Sequence, residues 1–205
     1  MGLYSRFLFP LGYDRLVKME QLDRRRVAHL AGARGEVLEI GIGTGLNLPH
    51  WPEDMTRLTA VEPNRGMHRQ LARKLSHAPV GVHAVPAVAE RLPFRAGSFD
   101  TVVTTLVLCS LPDLAESLAE VRRVLRPDGR FLFLEHGASP DPGVARWQRR
   151  LNWIQGKIGD GCRLDLPVEH AIQRAGFVIR RLDRYYLEKG PRTHSYMYDG
   201  EATPG

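Results

Sequence analysis

Short apolar runs alternate along this chain with stretches whose apolar residues recur every three or four positions. The runs fall at Val37–Ile40, Arg57–Val61, Val80–Val85, Thr101–Leu108, Arg130–Leu134, Phe177–Leu182 and Thr193–Tyr198. Each is short, rich in β-branched or aromatic residues and bounded by Gly, Pro, Asn or Asp, which predicts buried strands. Between them, Met67, Leu71 and Leu75, then Leu114, Leu118, Val121 and Leu125, then Val144, Trp147, Leu151 and Ile154 form single apolar faces at helical spacing. Another helix is predicted at 168–175. Strands alternating with amphipathic helices predict an α/β, doubly wound, seven-stranded and mostly parallel sheet, with an antiparallel last strand.

Ahead of the first strand, Leu3, Tyr4, Phe7 and Leu8 have helical spacing that Pro10-Leu11-Gly12 interrupts. A second helix is predicted from about Asp14 to Leu30. Residues 1–35 are therefore read as an N-terminal helical extension serving as a lid or an edge-packing helix, 36–199 as one α/β domain, and 200–205 as a frayed tail.

The strongest chemical signal is V-L-E-I-G-I-G-T-G-L-N, residues 37–47. Gly41, Gly43 and Gly45 follow the first strand at alternate positions, where the backbone must turn sharply and approach a ligand closely. The spacing is G-x-G-x-G and not the G-x-G-x-x-G of dinucleotide binders, which argues against a nicotinamide dehydrogenase. Glu62 ends the next strand, where a carboxylate can accept two hydrogen bonds from a ribose diol.

With Glu39 in front of the glycines, this pattern resembles motif I of the class I methyltransferases that use S-adenosylmethionine. V-L-R-P-D-G-R-F-L-F-L-E-H at 124–136, a helix–turn–strand block, and A-E-R-L-P-F at 89–94 extend the resemblance across 36–199. The resemblance implies a Rossmann-like fold and S-adenosylmethionine as cofactor. It also implies cofactor-binding roles for Glu39, Gly41, Gly43, Gly45, Asn47, Glu62, Pro63, Ala89, Glu90 and Thr105. Val88 stands where that family has an acid against the adenine, so backbone near Ala89 and Glu90 is expected to take over.

T-L-V-L-C-S-L-P-D (105–113), F-L-E-H (133–136) and D-G-C-R-L (160–164) are similar to the methyltransferase-like family of animal alkyl-thiol methyltransferases and its bacterial relatives. The animal members' N-terminal hydrophobic anchor is not expected here. That narrower resemblance implies methyl transfer to a small-molecule acceptor, a thiol among the options. A quinol, phenol or lipid O- or C-methyltransferase is the alternative enzyme, and a non-catalytic S-adenosylmethionine-binding scaffold is the alternative of another class. No N-P-P-Y or D-P-P-Y is present, which disfavours methylation of planar amides or adenine amines. His136, ending a central strand with an ordinary pKa near neutrality, is the candidate general base; the alternative is a histidine serving only the strand-end loop.

Composition refines this picture modestly. With 43% hydrophobic and 25% charged residues, the 205-residue chain suits one ordinary globular domain. The net charge of +6 comes from dispersed arginines without interleaved stacking aromatics, which does not point to nucleic acid. Cys109 and Cys162 form neither a disulfide framework nor a zinc-ligand spacing, so no metal is expected and a reducing cytoplasm is compatible. No run is long enough to span a bilayer; a peripheral contact through the aromatic N-terminus is the remaining membrane option.

Overall fold

The computed structural model describes residues 19–53, 55–76 and 78–205. The expected helix around Leu3–Leu8 and the start of the second one lie outside those residues. The described part of the second is α1 (Glu20–Leu30). It leads to β1 (Glu36–Ile40), β2 (Arg57–Val61), α2 (Arg65–Leu75), β3 (Val82–Val85) and β4 (Phe99–Thr105). There follow α3 (Leu114–Val124), β5 (Leu125–His136), α4 (Pro142–Ile158), α5 (Val168–Arg174), β6 (Phe177–Tyr186) and β7 (Tyr196–Pro204).

The seven strands make one sheet in the order β3-β2-β1-β4-β5-β7-β6. Pairing is parallel from β3 through β5, and β7 runs antiparallel to both β5 and β6. Side chains alternate across the sheet as the strand period requires. Leu38, Val102, Phe131 and Phe133 join Leu118 and Val121 of α3 and Ile172 of α5 on one face. Val37, Leu58, Val103 and Leu132 join Leu30 of α1 and Trp51 on the other. Ala60 and Leu71 bring α2 onto that second face.

Caps explain several helix starts. Asn64, Asp113 and Asp141 each accept a backbone N–H from the first turn of α2, α3 and α4. Asp100 has a structural role: it accepts the Glu36 amide at 2.8 Å and pairs with Arg126.

Three expectations need correcting. Residues 200–205 do not fray, because β7 continues to Pro204. Ala202 is fully buried opposite Phe131, Glu201 pairs with Arg130, and Gly205 N donates to Gly176 O at 2.8 Å. The domain thus reaches the last residue. Second, β5 begins at Leu125 and not after Gly129, because Leu125 already pairs with Phe99 before an irregularity resets the register at Arg130. Third, β4 stops at Thr105, short of Leu108: Leu106 takes φ 57°, a left-handed conformation that ends the strand.

Candidate active site

In this strand order the chain leaves β1 toward one edge of the sheet and β4 toward the other, opening a crevice at the strands' carboxyl ends. A cleft of about 320 Å³ lies there, within the range of small-molecule sites. The ends of β1 and β2 supply Gly41, Gly43, Glu62 and Pro63, and the loop after β3 supplies Ala89 and Glu90. Leu106, Val107, Ser110, Leu111 and Pro112 close it from the end of β4. A small side recess is lined by Glu39, Gly41, Gly43, Asn47, Thr105 and Arg26. All ten residues expected to bind cofactor except Gly45 therefore border one of these two connected surfaces.

The glycines divide the work. Gly41 (φ 70°) has no room for a side chain, since a Cβ would come within 2.5 Å of Val107 Cγ2. Gly45 (φ 81°) would drive a Cβ to 2.7 Å from Leu48 Cδ1, so its role is to let the loop pack. Gly43 (φ 55°) is the opposite case: the nearest atom to a Cβ there would be Gly41 O at 3.8 Å, and the space beyond is the cleft. After the loop the chain makes only a single 3-10 turn, Leu48–His50, too brief to carry a helix dipole.

Glu39 is buried, and desolvation pushes its carboxyl up to about 7 against the Asn47 bond and the nearby Arg26 charge. Asn47 Nδ2 donates to Glu39 Oε1 at 2.8 Å and to Thr105 Oγ1 at 3.0 Å, while its Oδ1 accepts from Arg26 Nη1 at 2.6 Å. Glu39 Oε2 has no partner among the described residues. Across the loop, Glu62 Oε2 accepts Gly43 N at 3.0 Å and Oε1 accepts Asn64 N at 2.7 Å. Burial raises the Glu62 pKa, and those two amides oppose it.

Two contributors are invisible to motif reading. Arg26 comes from α1, ahead of the sheet, and reaches the site because the helix is pinned by His29, whose Nδ1 lies 2.9 Å from Asp199 Oδ1 on β7. Both are buried at i and i+3, a face that the low apolar content of α1 did not reveal. Glu135 is the other. Its carboxylate accepts Val107 N through Oε2 at 2.9 Å and Oε1 at 3.1 Å. It thereby fixes the turn in which Leu106 and Val107 present themselves to the cleft. Burial raises its pKa to about 7 despite these bonds.

His136 follows on β5 but does not line the cleft. Its Nε2 lies 3.2 Å from Cys162 Sγ, and its Nδ1 has no partner among the described residues. Burial disfavours the imidazolium, whereas Cys162 and Glu135 favour it, and the net pKa is raised. The neighbouring Cys109 sulfur and burial push the Cys162 thiol up, against the His136 contact.

A nucleoside cofactor with a methionine end fits this site. Gly43 leaves an open cradle, Glu62 stands at the end of β2, and the orphaned Glu39 oxygen is a buried acceptor suited to an ammonium. The Methyltransferase domain family matches residues 38–133. The chain belongs to the class I methyltransferases and is an enzyme that uses S-adenosylmethionine as methyl donor.

Within that class it is similar to two human proteins. Thiol S-methyltransferase TMT1B is 35% identical over 176 residues, covering 82% of this chain and 72% of that one. Thiol S-methyltransferase TMT1A is 36% identical over 177 residues with the same coverage. At the level of fold, a methyltransferase from Thermotoga maritima superposes with a TM-score of 0.70 over 98% of both chains at 18% identity.

Proposed function

We propose that this enzyme methylates the sulfur of a small, uncharged alkyl thiol. The observation that carries the reading is the character of the wall facing the methyl donor: Leu106, Val107, Leu111 and Pro112, with Ser110 as its hydroxyl. Such a surface accepts an apolar chain and offers no cationic side chain to a phosphate. The identity to thiol S-methyltransferases over 82% of the chain supports the same acceptor class.

The cofactor supplies a methyl group on a sulfonium, already activated for displacement. The chain's residues bind and align. Glu39 holds the ammonium of the methionine end, with Asn47, Thr105 and Arg26 fixing its carboxylate in place. Glu62 takes the ribose hydroxyls, the open backbone at Gly43 lets the ligand approach, and Pro63, Ala89 and Glu90 flank the base. Glu135 acts as a positioning residue through Val107. A thiol acceptor must also lose its proton, and the His136–Cys162 pair is the titratable group set beside this wall.

The test is release of S-adenosylhomocysteine by purified protein given S-adenosylmethionine, with and without an alkyl thiol. Turnover that needs the thiol is expected. Turnover with phenols or quinols and none with thiols would overturn the acceptor assignment.

A further inference from the structure

Cys109, His136 and Cys162 come from three separate parts of the chain. Cys109 sits in the single 3-10 turn Leu108–Ser110, His136 ends β5, and Cys162 follows the turn after α4. Their donor atoms all lie within 4.8 Å of one another. Backbone bonds hold the assembly: Arg163 N donates to Cys109 O at 3.0 Å, and Cys162 N donates to Gly159 O at 3.1 Å. Both cysteines are buried free thiols. Asp160, in the turn that delivers Cys162, takes a left-handed φ of 51°, a costly conformation for a residue with a side chain.

Two thiols and an imidazole converging on one point are the donor set of a zinc-type ion. Linear spacing hides the set because the fold, and not the local chain, brings it together. We propose that Cys109, His136 and Cys162 form a three-ligand site for a zinc-type divalent cation whose fourth position takes the acceptor thiol.

Placement supports the fourth ligand. Ser110 and Leu111, next to Cys109, and Gly159 and Asp160, just before Cys162, line the acceptor side of the cleft. A tetrahedral ion with three protein ligands keeps one position for water or substrate. Cys109 and Cys162 each give up the S–H proton to water as their sulfurs bond to the ion, and the acceptor's sulfur does the same when it takes the fourth position, leaving a thiolate. His136 then serves as a ligand, and no separate base is needed. The metal site stands independently of the thiol reading; only the identity of the fourth ligand rests on it.

The experiment uses the full chain, stripped with chelator, kept reduced with a phosphine and titrated with cobalt(II). Stoichiometric binding is expected, with the visible bands of tetrahedral cobalt and near-ultraviolet sulfur-to-cobalt charge transfer, both abolished by added zinc. Butanethiol should shift the visible bands. Cys109→Ser and Cys162→Ser should each weaken the charge transfer, and the double variant should lose it, while still binding S-adenosylhomocysteine, which reports folding. His136→Asn, which removes a ligand without touching sulfur, should lose the tetrahedral spectrum and serves where the serine variants do not fold. No bands in the unaltered protein, or bands left unchanged by these substitutions, would overturn the site. Bands indifferent to butanethiol would overturn the thiol as fourth ligand, whereas failure of thiol methylation itself is read separately from S-adenosylhomocysteine release.

Discussion

On the donor side of the cleft, Glu39, Asn47, Thr105 and Arg26 are joined by direct side-chain hydrogen bonds, and Glu62 by two backbone amides. On the acceptor side, an apolar wall rests on Glu135 from behind, with a sulfur–imidazole cluster beside it. The first arrangement is a fixed polar cradle for one charged ligand. The second is a surface whose chemistry depends on what is brought to it. The comparison teaches that donor binding and acceptor choice are set by different groups and can be altered separately.

The largest effect is expected from Asn47→Ala. It strips Glu39 and Thr105 of their shared amide and Arg26 of a 2.6 Å bond in a buried network. Stability should fall by about 3 kcal/mol, read as a lower urea midpoint with an unchanged slope. An equal loss from Ser110→Ala, on the other wall, would erase the distinction.

Next comes Glu62→Ala. The folded variant should bind S-adenosylhomocysteine about 1–3 kcal/mol more weakly in calorimetry. Unchanged affinity would remove the ribose assignment.

A pH effect sharpens the contrast further. Glu39 and Glu135 are pushed up from 4.5 to about 7 in the folded protein, so between those values the folded state binds more protons than the unfolded one. Stability of the free protein should therefore be fullest below about pH 4.5 as far as these two groups are concerned, and be lost progressively as pH rises through 7. An ammonium placed at Glu39 reverses the pressure on that carboxyl. Cofactor binding should release a proton below pH 7, and its affinity should rise with pH up to that point. Glu39→Gln should flatten the affinity profile, whereas an unchanged profile would place the ammonium elsewhere.

A smaller change is expected from Arg184→Ala. Its pair with Glu169 is half-exposed on the far strand β6, and its loss should cost no more than about 1 kcal/mol in unfolding, with cofactor binding untouched.

Much of the donor wall was legible in the sequence because its parts are local. Gly41, Gly43 and Gly45 follow β1 directly, and Glu62 ends the very next strand, so short-range pattern and position coincide. The parallel sheet was readable for the same reason, from runs such as Val102 to Thr105. Arg26 was not readable, because its burial depends on the His29–Asp199 pair across most of the chain. The end of β7 was missed because E-A-T-P-G reads as a polar tail until Ala202 is seen against Phe131. The Cys109–His136–Cys162 cluster was equally hidden, since only the turn after α4 and the end of β4 bring the two sulfurs together.

The separation of the two walls is tested most directly with the double variant Cys109→Ser/Cys162→Ser, measuring S-adenosylhomocysteine affinity beside thiol-dependent turnover. The predicted result is cofactor affinity equal to that of the unaltered enzyme with thiol methylation lost. Full thiol turnover in the double variant, or loss of cofactor binding in a folded protein, would contradict it.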